Sequence, residues 1–299
     1  MKPRSLDART RSTVRGMTNK EKILMKKYIL MLSTLLPFYA LADDNLQPTS
    51  GTCGTNCTWT MEGNTLTLTG YGNIDNQTRY AQPWYWNREN ITSVVIQNAE
   101  NTTGFKRIGQ HVFEDMDYIT TVTLPDTLKT IGIEAFNACS HLKNINIPDS
   151  VEKISGWAFN NNDINSLQIP ANLTKLEDYV FSANPIHELV IPENITEISE
   201  HAFYCDGCWS TLHGQAMPLE KIYCSTNMLE ACRTAVSHFE HDVEIAEYQK
   251  YGDAYYFGGK FYKTANDIYG KNHIKKRIYT IDEANRVAGD KNRVSIRYR

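Results

Sequence analysis

Between residues 113 and 203 phenylalanine returns on a fixed beat: Phe113, Phe136, Phe159, Phe181 and Phe203 stand 23, 23, 22 and 22 residues apart. Pro125, Pro148, Pro170 and Pro192 keep the same interval. Within one interval the apolar positions are Leu142, Ile145, Ile147, Val151, Ile154 and Ala158-Phe159. The neighbouring intervals repeat them as Ile119, Val122, Leu124, Leu128 and Ile131, as Ile164, Leu167, Ile169, Leu173 and Leu176, and as Ile186, Leu189, Ile191, Ile195 and Ile198. A period of this size marks a stack of like units. Side chains alternate across a strand, so Ile145 and Ile147 are expected to face inward while Asn144 and Asn146 face out. One unit has too little core of its own. Stacking coils about 4.8 Å apart joins their apolar positions into a continuous core. Each proline ends a strand, because it brings no N–H to the ladder and fixes the departure of the chain. The pattern therefore predicts a mainly-β solenoid, with short strands in a parallel ladder joined by turns or short 3-10 segments.

Three residues after each Phe come Met116, Cys139, Asn162, Asn184 and Asp206. At the middle three a small side chain is expected inside the turn. There an Asn satisfies buried backbone groups, and Cys139 is a buried thiol.

The units typified by IGIEAFNACSHLKNINIPDSVEKISGWAF resemble the BspA-like leucine-rich repeat family over about residues 91–224. The upstream GTCGTNCTWTMEGNTLTLTG and PWYWNRENITSVVI are similar to the segment that opens many such proteins, which extends the likeness to about residues 50–248. The resemblance implies a leucine-rich-repeat solenoid in a bacterial protein that is secreted or displayed, and that engages host or neighbouring-cell components as an adhesin or surface antigen. Two departures stand out. The first unit has five extra residues around Gln97–Gly104 and lacks its Pro, and the fourth has eleven extra before Leu219. Such insertions map to loops on one face.

The ends of such a stack need covering. Thr58–Met61 and Thr65–Thr69 read as strands joined through Gly63-Asn64, so residues 43–90 are expected to form an N-terminal β-hairpin cap. Leu219, Ile222 and Cys224 fit the strand of a fifth coil. Met228–Phe239 carries Leu229, Cys232, Val236 and Phe239 on a helical stripe, which makes residues 91–248 a solenoid with a C-terminal helix cap. Residues 249–299 read as a small α+β tail module. It holds a hairpin over Tyr255–Tyr262 turning at Gly258-Gly259, a strand at Arg277–Tyr279, a helix opened by the capping box Thr280 to Glu283 and ended by Gly289, and a last strand over Arg293–Arg299.

Charge divides the 299 residues differently. Residues 1–42 hold nine Lys/Arg and two Asp/Glu, residues 43–249 hold ten against 27, and residues 250–299 hold twelve against five. An acidic body thus sits between basic ends. Lys26-Lys27, the apolar stretch Tyr28–Leu36 and the small-x-small Ala40-Leu41-Ala42 read as a leader and signal peptide cut after Ala42, so residues 1–42 are set apart from the fold. This reading places the chain outside the cell or on its surface, with the periplasm as alternative. No apolar run approaches the ~20 residues of a bilayer span, so no transmembrane segment is expected in the mature chain.

All seven cysteines lie beyond that cut, where disulfides are permitted. The candidate disulfide cysteines are Cys53, Cys57, Cys205, Cys208, Cys224 and Cys232, with Cys139 left over. Cys224 and Cys232 either pair or serve as apolar filling. Cys205-x-x-Cys208, near His201, Trp209 and His213, reads as a structural disulfide; zinc ligation and a redox pair are the other two readings, but the spacing and the missing βαβ context fit them less well.

No Gly-x-Ser-x-Gly, His-Glu-x-x-His, P-loop or Gly-x-Gly-x-x-Gly occurs. No catalytic residue, metal or cofactor is therefore expected, and an enzyme built on the Cys/His insertion is the third reading. The Trp84-Tyr85-Trp86 cluster is either a sugar platform or packing, with at least two rings expected to pack the front cap. His111, Glu134, Trp157, Tyr179 and His201 occupy one position in five successive coils and are expected to form a convex surface column. An exported chain with so acidic a body is not expected to hold nucleic acid.

The predicted binding surface is the outward strand face: Thr121, Thr123, Asn144, Asn146, Ser166, Gln168, Glu188, Val190 and Tyr223. Short hydrogen-bonding residues on a rigid ladder suit a protein or glycan ligand that spans several coils. The alternative function is a structural or envelope-assembly protein tethered by its basic tail.

Overall fold

A computed structural model describes residues 48–204, 219–237, 239, 242–251, 254–257 and 260–262, the last of these from residue 250 onward as backbone alone. The leader expected over residues 1–42, Cys205, Cys208, Trp209 and His213, and the tail strands and helix expected after residue 262 lie outside the described residues.

The described chain opens with strands β1 (Ser50–Gly54), β2 (Cys57–Glu62) and β3 (Thr65–Gly70), paired antiparallel in sequence, followed by β4 (Gly72–Ile74). The β2–β3 turn passes through Gly63 at a φ of 58°, which costs glycine nothing. Cys53 and Cys57 are disulfide-bonded and Trp59 lies in the core.

Beyond β4 each coil contributes to two parallel ladders where one was expected. The rungs in chain order are β5 (Ser93–Asn98), β6 (Phe105–Ile108), β7 (Thr121–Thr123), β8 (Thr130–Ile131), β9 (Lys153–Ile154), β10 (Lys175–Leu176), β11 (Glu188–Val190), β12 (Glu197–Ile198) and β13 (Lys221–Ser225). One ladder runs β3-β5-β7 and resumes as β11-β13. Between these stretches the bridge Asn144↔Ser166 is its only assigned pairing among the described residues. The second runs β4-β6-β8-β9 and, separately, β10-β12.

Proline limits the length of the strands in the first ladder. The units without it have strands of six and five residues, β5 and β13. Those closed by Pro125 and Pro192 have three, and those closed by Pro148 and Pro170 have only the bridge. A residue without an N–H cannot extend a ladder.

Past β13 comes helix α1 (Leu229–Val236), preceded by a 3-10 turn over Thr226–Met228; it is shorter than the Met228–Phe239 expected. Cys224 and Cys232 are disulfide-bonded across this junction, and Cys139 is a buried free thiol. Then β14 (Glu244–Tyr251) adds a parallel rung to β13, and β15 (Ala254–Phe257) and β16 (Lys260–Tyr262) continue antiparallel. The rung β14 was not foreseen. Tyr248 on it is fully buried, its hydroxyl donating to the Ile191 carbonyl at 2.7 Å.

The core is one file of rings. Trp84, Phe113, Phe136, Phe159, Phe181 and Phe203 stack in succession with centroids 5.6, 5.0, 5.3, 5.6 and 6.4 Å apart. Beside it the turn residues act as expected. Asn162 accepts from the Cys139 N–H at 2.7 Å and donates to the Phe136 carbonyl at 3.0 Å. Asn184 accepts from the Ile164 N–H and donates to the carbonyls of Phe159, Phe181 and Ser182. Cys139 donates its S–H to the Phe113 carbonyl at 3.2 Å, and burial pushes that thiol's pKa far up. At Gly132 a Cβ would lie 2.6 Å from the Gly109 carbonyl carbon, so only glycine lets these two coils approach this closely.

Candidate binding surface

The strand face starts from paired rows. Thr65, Ser93 and Thr121 are registered neighbours, as are Thr67, Val95 and Thr123. Thr121, Thr123, Asn144, Asn146 and Gln168 are exposed, and Ser166 and Glu188 half-buried. Their inward neighbours Leu124, Ile145, Ile147, Leu167 and Leu189 are buried. The alternation that strands impose thus leaves a row of hydroxyls and amides over an apolar core.

Val190 and Tyr223 depart from the expectation, for they are only 3% and 6% exposed. The Tyr223 ring stands in a registered row between Val190 and Ala246. Its hydroxyl lies 3.4 Å from Glu188 Oε2 and the Lys221 ammonium sits 5.2 Å over its ring. A large ring between two small apolar neighbours closes this part of the row with the protein's own side chains. Beside it Lys221 pairs with Glu244, so the face ends in opposite charges rather than in hydroxyls.

The surface column predicted two residues before each Phe splits into two chemistries. Trp157, Tyr179 and His201 stack face to face, with centroids 4.0 and 5.1 Å apart and planes within 15°. Trp157 is 40% exposed. His111 and Glu134 instead meet Glu114. His111, Glu134, Trp157 and Tyr179 all hold φ between 54° and 62°, a left-handed conformation that no glycine or asparagine marks at these positions.

Around Glu114 the electrostatics are concentrated. Its side chain is wholly buried; Oε1 lies 3.2 Å from Asn137 Nδ2 and 3.1 Å from Arg79 Nε, and Oε2 lies 2.8 Å from His111 Nδ1. Neither Oε2 nor His111 Nδ1 completes a hydrogen bond despite that distance. Glu134 Oε2 stands 3.7 Å from the same Nδ1. Burial first, and the neighbouring Glu134 carboxyl second, hold the Glu114 carboxyl above its ordinary pKa. The hydrogen bond and charge of Asp115 raise the Arg79 guanidinium's pKa, and the charge of Asp115 also raises that of the Tyr80 hydroxyl. On the second ladder, Lys129–Glu152, Lys153–Glu177 and Lys175–Glu197 tie consecutive coils at 2.6, 3.3 and 2.7 Å, and Glu197 raises the Lys175 pKa.

Of the Trp84-Tyr85-Trp86 cluster one ring is fully buried, one half-buried and one exposed. Trp84 is buried between Trp59 and Phe113, Tyr85 is half-buried beneath the Arg88 guanidinium, and Trp86 is 69% exposed. No described helix is long and apolar enough to cross a membrane.

Comparison with curated proteins gives no match. Among solved structures the chain is similar to a leucine-rich repeat protein from Eubacterium ventriosum, at 25% identity over 60% of this chain and 44% of that one, with a TM-score of 0.48. It is also similar to the T. pallidum leucine rich repeat protein TpLRR, at 19% identity over 63% and 77% of the two chains and a TM-score of 0.40. A leucine rich cell surface protein from Faecalibacterium prausnitzii gives 21% identity, 59% and 55%, and a TM-score of 0.39. The chain spans less than half the length of the first of these. Residues 106–232 match the family model of the BspA type leucine rich repeat region in six copies. Those residues, whose Phe file and parallel rungs are described above, form a BspA-type leucine-rich repeat region within the chain.

Proposed function

We propose that this protein is an exported binding module, adhesin-like or a surface antigen, whose strand face takes a protein or glycan ligand outside the cell or on its surface. The observation that carries this reading is the exposed row Thr121, Thr123, Asn144, Asn146 and Gln168, spread over three consecutive coils on a closed apolar core. Short side chains on a stiff backbone lose little entropy on binding, and a row that crosses coils suits an extended ligand. Strands β1–β3 would close one end of the stack and helix α1 the other, with the leader of residues 1–42 removed on export. The burial of Val190 and Tyr223 confines the ligand to the earlier coils and Glu188. Binding, rather than turnover, is the reading that this face supports, since its hydroxyls and amides include no paired acid and base.

The test is an array of extracellular proteins and glycans probed with the purified chain, followed by titration of any partner found. A double variant Thr123→Lys/Asn146→Lys is expected to weaken binding at least tenfold, about 1.4 kcal/mol, with an unaltered unfolding midpoint. Binding that is undiminished by the two lysines, or absent across the array, defeats the proposal.

A further inference from the structure

At the front of the outer column the side chains are donors rather than rings. His111 and Glu134 come from successive coils, and Glu114 reaches them from three residues beyond His111. One ligand atom from each of the three lies within 4.8 Å of the other two. The backbone builds this meeting. His111 and Glu134 both adopt left-handed φ, at 57° and 54°, and the His111 N–H donates to the Ile133 carbonyl of the next coil. Gln82 Nε2 donates to the His111 carbonyl at 2.7 Å and holds that turn from the other side.

We propose that His111 Nδ1, Glu114 Oε2 and Glu134 Oε2 form a site for a divalent cation of the zinc type. Burial supplies the first reason. Glu114 is fully enclosed, its Oε1 is engaged by Asn137 and Arg79, and its Oε2 faces the His111 Nδ1 at 2.8 Å with no hydrogen bond completed at either atom. A buried carboxylate oxygen 2.8 Å from an imidazole nitrogen, with no completed hydrogen bond at either atom, is a desolvated polar pair whose cost a shared cation recovers. A carboxylate steered through one oxygen, so that the other is presented inward, is also how outer partners orient a metal ligand.

Distance supplies the second reason. Zinc bonds of about 2.0–2.2 Å in a tetrahedron put ligand atoms roughly 3.3–3.6 Å apart. The Nδ1–Oε2 separations of 2.8 and 3.7 Å straddle that range, so small side-chain rotations complete the triangle. His111 and Glu134 are about a quarter exposed, which leaves the fourth position open to solvent.

Charge and donor type supply the third. Glu114, Glu134 and Asp115 bring three carboxylates and Arg79 one guanidinium, so the fully ionised group carries two negative charges for a divalent ion. One imidazole and two carboxylates favour a first-row transition ion over calcium, which takes six to eight oxygens and no nitrogen.

The experiment is a zinc titration of the chelator-stripped full chain, followed by calorimetry or by competition with a chromogenic chelator. It is repeated on His111→Ala, on Glu134→Gln and on a Cys205→Ser/Cys208→Ser double variant. One zinc per chain is expected on this site, at least tenfold weaker in each of the first two variants and unchanged in the cysteine variant. Cobalt bound in its place should show no thiolate charge-transfer band. Because His111 and Glu134 are partly exposed, their variants are expected to unfold close to the wild-type urea concentration without metal and to lose the stabilisation that zinc gives the wild type. Zinc binding that is absent, equally strong without His111 and Glu134, or lost only with the cysteines overturns the site.

Discussion

Two columns of side chains run along this solenoid only two residues apart. Phe113, Phe136, Phe159, Phe181 and Phe203 form the inner one, and His111, Glu134, Trp157, Tyr179 and His201 the outer. Coil by coil they share the same spacing. The inner column is one residue type throughout, buried, with consecutive planes within 18°. The outer column holds four types, and its neighbours interact as rings at one end and as ligand-type donors at the other. Volume explains the contrast. Each inner ring is the packing surface of the next, so any other size leaves a void or a clash in two coils at once. An outer side chain meets solvent on one side and is free to vary. In a protein whose backbone repeats, the distinguishing chemistry belongs where the register repeats and the residue does not.

The sharpest way to break that comparison is to empty one place in the inner column. Phe159→Ala removes a ring flanked by Phe136 at 5.3 Å and Phe181 at 5.6 Å, and is expected to cost about 3–5 kcal/mol in urea unfolding. The coils are coupled through their neighbours, so the loss should reach the flanking coils as faster amide exchange around Phe136 and Phe181. A cost near 1 kcal/mol would mean that the stack relaxes around the void, and the inner column would then constrain its residues no more than the outer one does.

The inner column was legible in the sequence because burial makes it periodic. The same holds for Asn162 and Asn184, whose offset from Phe places an amide where turn carbonyls converge. The second ladder was not legible. Two-residue rungs such as Thr130–Ile131 and Lys153–Ile154 are too short to show alternation, so Ile131 and Ile154 read only as core. Rung β14 was hidden because its register is set by β13 rather than by a Phe. Val190 and Tyr223 obey the strand alternation, but no pattern along one strand shows that a ring on the next covers its neighbour. The cluster at Glu114 escaped notice for a related reason. Its ligand atoms come from positions 23 residues apart that match no metal spacing, and it takes a left-handed turn, unsigned by glycine, to bring them together.

A smaller effect separates the turn that supports the inner column from the column itself. Asn184 Nδ2 serves three carbonyls and Oδ1 one N–H, all in the interior. Asn184→Ala strands these groups and is expected to cost about 1–3 kcal/mol, the penalty for unsatisfied buried polar atoms. Exchange of the Ile164 amide, which loses its acceptor, should accelerate more than that of Cys139, whose acceptor is Asn162. Equal acceleration at both amides would point to a general loosening rather than to a local hydrogen-bond debt.

The smallest effect is the most discriminating, because it reverses sign between the columns. Trp157 holds a φ of 62°, which an L side chain adopts at a cost of about 1 kcal/mol and glycine adopts freely. Trp157→Ala loses the stack on Tyr179, about 0.5–1.5 kcal/mol, and keeps the backbone cost. Trp157→Gly loses the same stack and removes that cost, so it is expected to unfold at a higher urea concentration than the alanine variant. At Phe159, which lies outside the left-handed region, the order should invert, since glycine there only adds unfolded-state freedom to the same cavity. Alanine and glycine variants at the two positions, measured side by side, separate what the turn demands of the backbone from what the core demands of the ring. Should the ranking be the same at both, the left-handed turn would not be what distinguishes the outer column, and its variety would have to come from solvent exposure alone.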